Sequence, residues 1–188
     1  MTIETINYND TFKKYNYSSL ITHADDQEAC SIIESIIDSG NYFENSPLYQ
    51  TKENVFARTE SIWLKYRMTF LTSVFLYLGK EHKVANMMAW SFMTNNETQA
   101  DRDTLWHHHA KHGGKGLSGI YYLKIPFGSD WSTSGTEMAP MGPDHPNRIW
   151  VEPSVSSWLI YPSEIWHRPG IITSNTYRYI LAADIVYE

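Results

Sequence analysis

Residues 106–123 read WHHHAKHGGKGLSGIYYL, and the spacing of histidines ahead of an apolar run decides how the rest is read. His107, His108 and His109 are consecutive. His112 follows, then a glycine-rich turn and an apolar strand over 117–123. Extended chain alternates its side chains, so an extended stretch over 105–110 puts His107 and His109 on one face. Neutral imidazole is the commonest side-chain ligand for transition metals. Two imidazoles two residues apart can grip one ion, and such a grip needs at least one more ligand.

Working outward, the N-terminal half is helical. Residues 22–40 read as a helix. Asp25 and Asp26 fall in its first turn, where negative charge suits the helix dipole. Ala29, Ile32, Ile33, Ile36 and Ile37 form one buried stripe, and Gly40 is the stop. Cys30 beside the stripe reads as a small buried thiol. Ser46-Pro47 marks a loop. A second helix is expected over 52–78, with Trp63, Tyr66, Phe70, Val74 and Leu78 as its stripe and Gly79 as its end. Residues 1–22 are polar and tyrosine-rich, with room for an edge strand and a loop.

From residue 84 the period changes to that of strands. They are expected over 84–93, 117–123, 136–139, 149–151, 158–161 and 177–187, with polar loops over 94–104 and 126–148. The second loop is long for a compact domain, and its length suggests a lid. Two helices followed by seven or eight short strands point to a mainly β barrel or sandwich with helices packed outside. One domain accommodates the whole chain, with 1–83 as largely helical support and 84–188 as the β core.

Composition narrows the function. Fifteen basic against 21 acidic residues give a net charge of −6, which disfavours a general nucleic-acid binder. The single Cys30 allows no internal disulfide, which suits a reducing compartment. The N-terminal MTIETINYND lacks an apolar run, and the longest greasy stretch, 70–78, is about half a bilayer span. The expectation is a soluble cytoplasmic protein with no membrane partner. The apolar outer faces of its strands allow a homodimer.

His167, in YPSEIWHRPG, is the best third ligand, because it stands where an apolar strand gives way to Pro169-Gly170. Eleven residues later comes Arg178. Alternation in the final strand puts Arg178 on one face with Ile180, Ala182, Asp184 and Val186. Arginine among small and apolar neighbours needs an anionic partner. That partner is either Asp184, in an internal salt bridge, or the carboxylate of a ligand gripped bidentately.

Together these pieces resemble the Fe(II)- and 2-oxoglutarate-dependent dioxygenases, and among them the small phage- and bacteria-type oxygenases. The resemblance rests on the strand MMAWSFM, the run His107-His108-His109 and the segment Leu117-Ser118-Gly119-Ile120-Tyr121-Tyr122. Pro162-Ser163 through His167, and Arg178, complete it over roughly 55–188. It implies a double-stranded β-helix, a cupin-like jelly-roll with iron at one mouth. It further implies a facial triad leaving three positions open for a 2-oxo acid and O2, with the distal carboxylate on Arg178. The implied products are succinate, CO2 and a hydroxylated small molecule or side chain whose identity the sequence does not give.

The chain departs from that family's His-x-Asp/Glu…His pattern. No carboxylate stands two residues after any of the three histidines. The metal ligands are then His107, His109 and His167, or Glu137 joins them from a neighbouring strand, or His108-x-Ala110 is the motif, as in halogenases that lack the carboxylate. Ile180 stands where the family has a serine, and Ser118 or Tyr122 is the expected substitute in holding the cosubstrate. Trp106, Trp131, Trp158 and Trp166 are candidates to line a substrate pocket. Two further readings compete: a three-histidine cupin-type dioxygenase that needs no 2-oxo acid, and a non-catalytic jelly-roll whose metal shell is closed.

Overall fold

The computed structural model describes residues 3–7, 11–44, 48–98, 105–110 and 116–188. His112, Ser46-Pro47 and the second half of the polar loop over 94–104 lie outside them. Strands β1 (Glu4–Asn7) and β2 (Lys13–Asn16) come first, then helices α1 (His23–Asp38) and α2 (Ser61–Leu78). Strands β3 (Val84–Thr94) and β4 (Gly116–Lys124) precede a single helical turn, α3 (Trp131–Ser134). Strands β5 (Thr136–Ala139), β6 (Ile149–Val151), β7 (Ser157–Pro162), β8 (Trp166–Pro169) and β9 (Arg178–Tyr187) complete the chain.

The strands form two antiparallel sheets. The larger has the order β1-β2-β7-β4-β9-β3 and the smaller β6-β5-β8. The chain is mainly β, and its architecture is the double-stranded β-helix. Period-two alternation divides each central strand of the large sheet between two cores. Tyr179, Leu181, Ala183 and Ile185 of β9 join Tyr121 and Leu123 of β4 and Trp158 and Ile160 of β7 under the helices. Ile180 joins Ile120, Tyr122, Leu159, Tyr161 and Met138 between the sheets.

Helix α1 begins where Thr22 accepts from Asp25 N and the Asp25 carboxylate accepts from Thr22 N, a reciprocal cap. The expected stripe is buried at Ala29, Ile33, Ile36 and Ile37. Cys30 is buried, and burial pushes its thiol up to about 12. Helix α2 starts nine residues later than the apolar pattern suggests. Asn54 caps a single 3₁₀ turn at Val55–Ala57 by accepting from Phe56 N, and Arg58 then leaves helical backbone. Gly79 ends α2 at a φ of 71°.

Helix α2 lies close on the sheet because β4 offers Gly119 there. A Cβ at 119 would stand 2.6 Å from Phe70 Cε2. The polar atoms on this interface find partners: Trp158 Nε1 donates to Thr69 Oγ1 at 3.0 Å, and the Tyr17 and Ser73 hydroxyls meet at 2.9 Å. The N-terminal segment also adds structure to the sheet, because β2 pairs with β7. The loop expected as a lid is part of the wall instead. Residues 136–139 are fully buried and pair with both β6 and β8.

Candidate metal centre

Residues 105–110 are extended beside β8. His107 N donates to His167 O at 3.2 Å, and His167 N donates to His107 O at 2.9 Å. This antiparallel bridge sets two imidazoles side by side, and alternation brings His109 to the same face. Ring centroids stand 4.2 Å apart for His107 and His167 and 5.1 Å for His109 and His167. One ligand nitrogen from each of the three lies within 4.8 Å of the others.

The second nitrogen of each ring fixes which atom faces inward. His107 Nδ1 stands 2.8 Å from Leu105 O, and His167 Nδ1 stands 3.0 Å from Ile165 O. His109 Nδ1 stands 2.8 Å from both carboxylate oxygens of Asp184. Each of these oxygens accepts, so Nδ1 carries the proton of each neutral ring, and Nε2 is then the atom with a lone pair. Three Nε2 atoms, oriented by partners behind them, are a donor set suited to a divalent transition metal. The Tyr161 hydroxyl also stands 3.2 Å from His167 Nε2. His167 is buried, and desolvation, followed by the neighbouring imidazoles, holds its pKa well below the ordinary value. Its ring is therefore neutral and free to ligate.

His108 faces the other way and meets Trp166 edge-on at 4.5 Å, so His108-x-Ala110 is not the motif. Glu137 is not in the cluster either. In β5 it opposes Arg168, while Met138 opposes His167. Its carboxylate accepts from Arg168 Nε at 2.8 Å and lies 3.7 Å from Arg148. Two guanidiniums hold it on the far face of the small sheet. Both guanidiniums also lie against Trp106, which is therefore part of this packing. Trp158 is core under α2. Trp90 borders the clustered imidazoles, 5.4 Å from His109.

Trp90, His107 and His109 divide two spaces. An inner cavity of about 60 Å³ also touches Phe92, Ile120, Tyr161 and Arg178. An outer cleft of about 440 Å³ is bounded by Phe43, Gln50, Lys52, Met88 and Asp184. Antiparallel register explains the arrangement. Met88, Trp90, Phe92 and Thr94 of β3 oppose Asp184, Ala182, Ile180 and Arg178 of β9. One face of this strand pair thus runs from the outer cleft to the inner end.

Arg178 is buried at that inner end. Its Nη1 donates to Ser134 O at 3.0 Å, and its Nε is buried with no partner among the described residues. Desolvation draws its pKa down to about 10, with Tyr122 acting in the opposite direction, so it remains a cation at neutral pH. The salt bridge with Asp184 is ruled out by distance. Six residues of strand separate them, about 20 Å. Tyr122 shares a hydrogen bond of 2.6 Å with Thr136, which lines the inner cavity. Ser118 does not substitute for the missing serine beside Arg178. It pairs with Asp184 in register and donates to that carboxylate at 2.6 Å.

The signal for Asp184 and Trp90 was present in the strand alternation. Asp184 shares the face of Arg178, and Trp90 sits two residues before Phe92 on the strand that covers it. What the sequence does not show is which strands are neighbours.

Solved structures with this fold align over nearly the whole chain. AviO1 from Streptomyces viridochromogenes Tue57 covers 94% of this chain and 90% of its own, with a TM-score of 0.66 and 12% identity. A prolyl hydroxylase from Trichoplax adhaerens, solved with a hypoxia-inducible-factor peptide, covers 95% of this chain and 84% of its own, with a TM-score of 0.66 and 13% identity. The α-ketoglutarate-dependent carbocyclase SnoK of nogalamycin biosynthesis reaches a TM-score of 0.70 at 9% identity, over 92% of this chain and 79% of its own. At such identities the shared property is the fold. No family model and no curated protein sequence matches the chain. Among the described residues, no helix is long and apolar enough to cross a membrane.

Proposed function

We propose that the chain is a non-haem Fe(II)- and 2-oxoglutarate-dependent oxygenase that hydroxylates a small molecule or a peptide side chain. One observation carries this reading. A buried, charged Arg178 with an unpartnered Nε borders a cavity whose other end is walled by three imidazoles. An isolated buried charge is costly, and a guanidinium fork suits a carboxylate. A slender diacid would satisfy the guanidinium at one end and reach the ligand nitrogens at the other. The similarly folded epimerase SnoN has been solved with Fe3+ and α-ketoglutarate bound.

His107, His109 and His167 would hold the iron, which supplies oxygen activation coupled to oxidative decarboxylation of the 2-oxo acid. Arg178 would bind and orient the distal carboxylate, with Tyr122 and Thr136 beside it. Ile120, Ile180 and Phe92 line the inner cavity with apolar surface and keep water from it. The outer cleft has several times the volume of the inner cavity and carries aromatic, amide and charged side chains. It fits a substrate bulkier than the diacid.

Anaerobic titration tests this reading. Fe(II)-loaded protein given 2-oxoglutarate should develop a metal-to-ligand charge-transfer band, and admitting O2 should release succinate. A second reading, a three-histidine dioxygenase independent of 2-oxo acids, is favoured by a cluster that, among the described residues, holds no carboxylate. A protein that binds Fe(II), shows no such band and forms no succinate would support that second reading over the first.

A further inference from the structure

The three histidines differ in what stands behind them. His107 and His167 rest on neutral main-chain carbonyls, whereas His109 rests on the Asp184 carboxylate, with both oxygens 2.8 Å from its Nδ1. The carboxylate is itself held in place. Ser118 donates to it at 2.6 Å, and Ser163 Oγ lies 3.1 Å behind Ser118. The Ser163 carbonyl meanwhile accepts from His109 N at 2.7 Å, so one turn anchors both the backbone of the ligand and the support of its ring. Among the described residues, no lysine or arginine pairs with Asp184. Its charge is directed at the imidazole.

We propose that Asp184 is a positioning residue that makes His109 stand in for a carboxylate ligand, which the cluster does not contain among the described residues. A triad with one carboxylate gives a dication one negative charge. Three neutral imidazoles give none. An anion accepting a hydrogen bond from Nδ1–H leaves Nε2 more electron-rich and adds one negative charge just behind the ligand shell. The net charge around the ion then matches that of a two-histidine, one-carboxylate site, while the contacting atom is nitrogen. This inference rests on the metal site proposed above, but not on the use of 2-oxoglutarate.

The test uses the metal alone. Fe(II) affinity by chelator competition and the Fe(III)/Fe(II) midpoint potential are measured for wild type, Asp184→Asn, Asp184→Ala and Asp184→Glu. Asp184→Asn keeps the shape and an acceptor oxygen but removes the charge. It should lower affinity by about 10-fold and move the midpoint potential upward; Asp184→Ala should approach a loss of about 100-fold, the usual range for groups supporting a metal-bound histidine. Asp184→Glu should restore the potential in part. The Co(II)-loaded protein should show three exchangeable, strongly shifted imidazole N–H proton resonances. Wild-type affinity and potential in Asp184→Asn would overturn the proposal and leave the oxygenase reading intact. Two shifted N–H resonances in place of three, with Asp184→Asn as damaging as His109→Ala, would make Asp184 a direct ligand and overturn it too. A wild-type protein that binds neither metal would refute it together with the metal site.

Discussion

Arg178 is the residue on which the cosubstrate reading turns. If its free Nε awaits a carboxylate, Arg178→Ala should weaken 2-oxoglutarate binding by at least about 100-fold, within the 2–5 kcal/mol typical of breaking a buried charged pair. Fe(II) affinity should change little. Calorimetric titration with each component separates these, and equal loss of both would make Arg178 structural. A second buried charge permits a test of stability. The Asp26 carboxyl lies under the helices and accepts from Tyr66 at 2.7 Å and Tyr121 at 3.2 Å. Burial pushes its pKa up to about 6, with the tyrosine hydrogen bonds opposing. The folded chain therefore holds a proton that the unfolded chain has already released. The stabilisation is complete below the ordinary value near 3.8 and is lost as pH rises through about 6. Asp26→Asn should gain thermal stability relative to wild type between pH 4 and pH 7. A gap in melting temperature that stays constant over that range would contradict the assignment.

At the scale of elements, α2 lies close on β4 at Gly119. Gly119→Ala would drive a methyl group into the Phe70 ring and against Trp158. Overpacking of this kind costs about 1–3 kcal/mol, and urea unfolding should show that loss with an unchanged m-value. A variant as stable as wild type would mean that Phe70 has room to move. The elements also show where the sequence was legible. Alternation in 178–187 assigned each residue its face, because a strand buried on both sides must satisfy both cores with a period of two. Helix α1 was readable from Thr22 and its isoleucine stripe. The start of α2 was not, since the single turn capped by Asn54 has the same apolar spacing as a helix. The strand carrying His167 was missed because its four residues are Trp-His-Arg-Pro, and only pairing with β5 and with His107 makes them a strand. Glu137 was misjudged for a related reason. Being on a neighbouring strand does not say which face a side chain takes, and Arg168 directly opposite decided it.

For the molecule as a whole, two sheets and a layer of helices divide the work. The core under the helices packs one face of the large sheet against α1 and α2. The space between the sheets carries the three imidazoles and Arg178, supplied by the 105–110 segment, β8 and β9. Local sequence carried the residue types and their order, but their convergence depends on long-range pairings, His107 with His167 and Thr94 with Arg178 among them. The most direct test of that convergence is a crystal structure of the protein prepared anaerobically with Fe(II) and 2-oxoglutarate. The account predicts anomalous iron density at about 2.0–2.1 Å from Nε2 of His107, His109 and His167, the range of zinc–imidazole bonds. It also predicts the diacid's far carboxylate on the Arg178 guanidinium. Iron bound elsewhere, or Arg178 paired with a carboxylate of the protein itself, would contradict it.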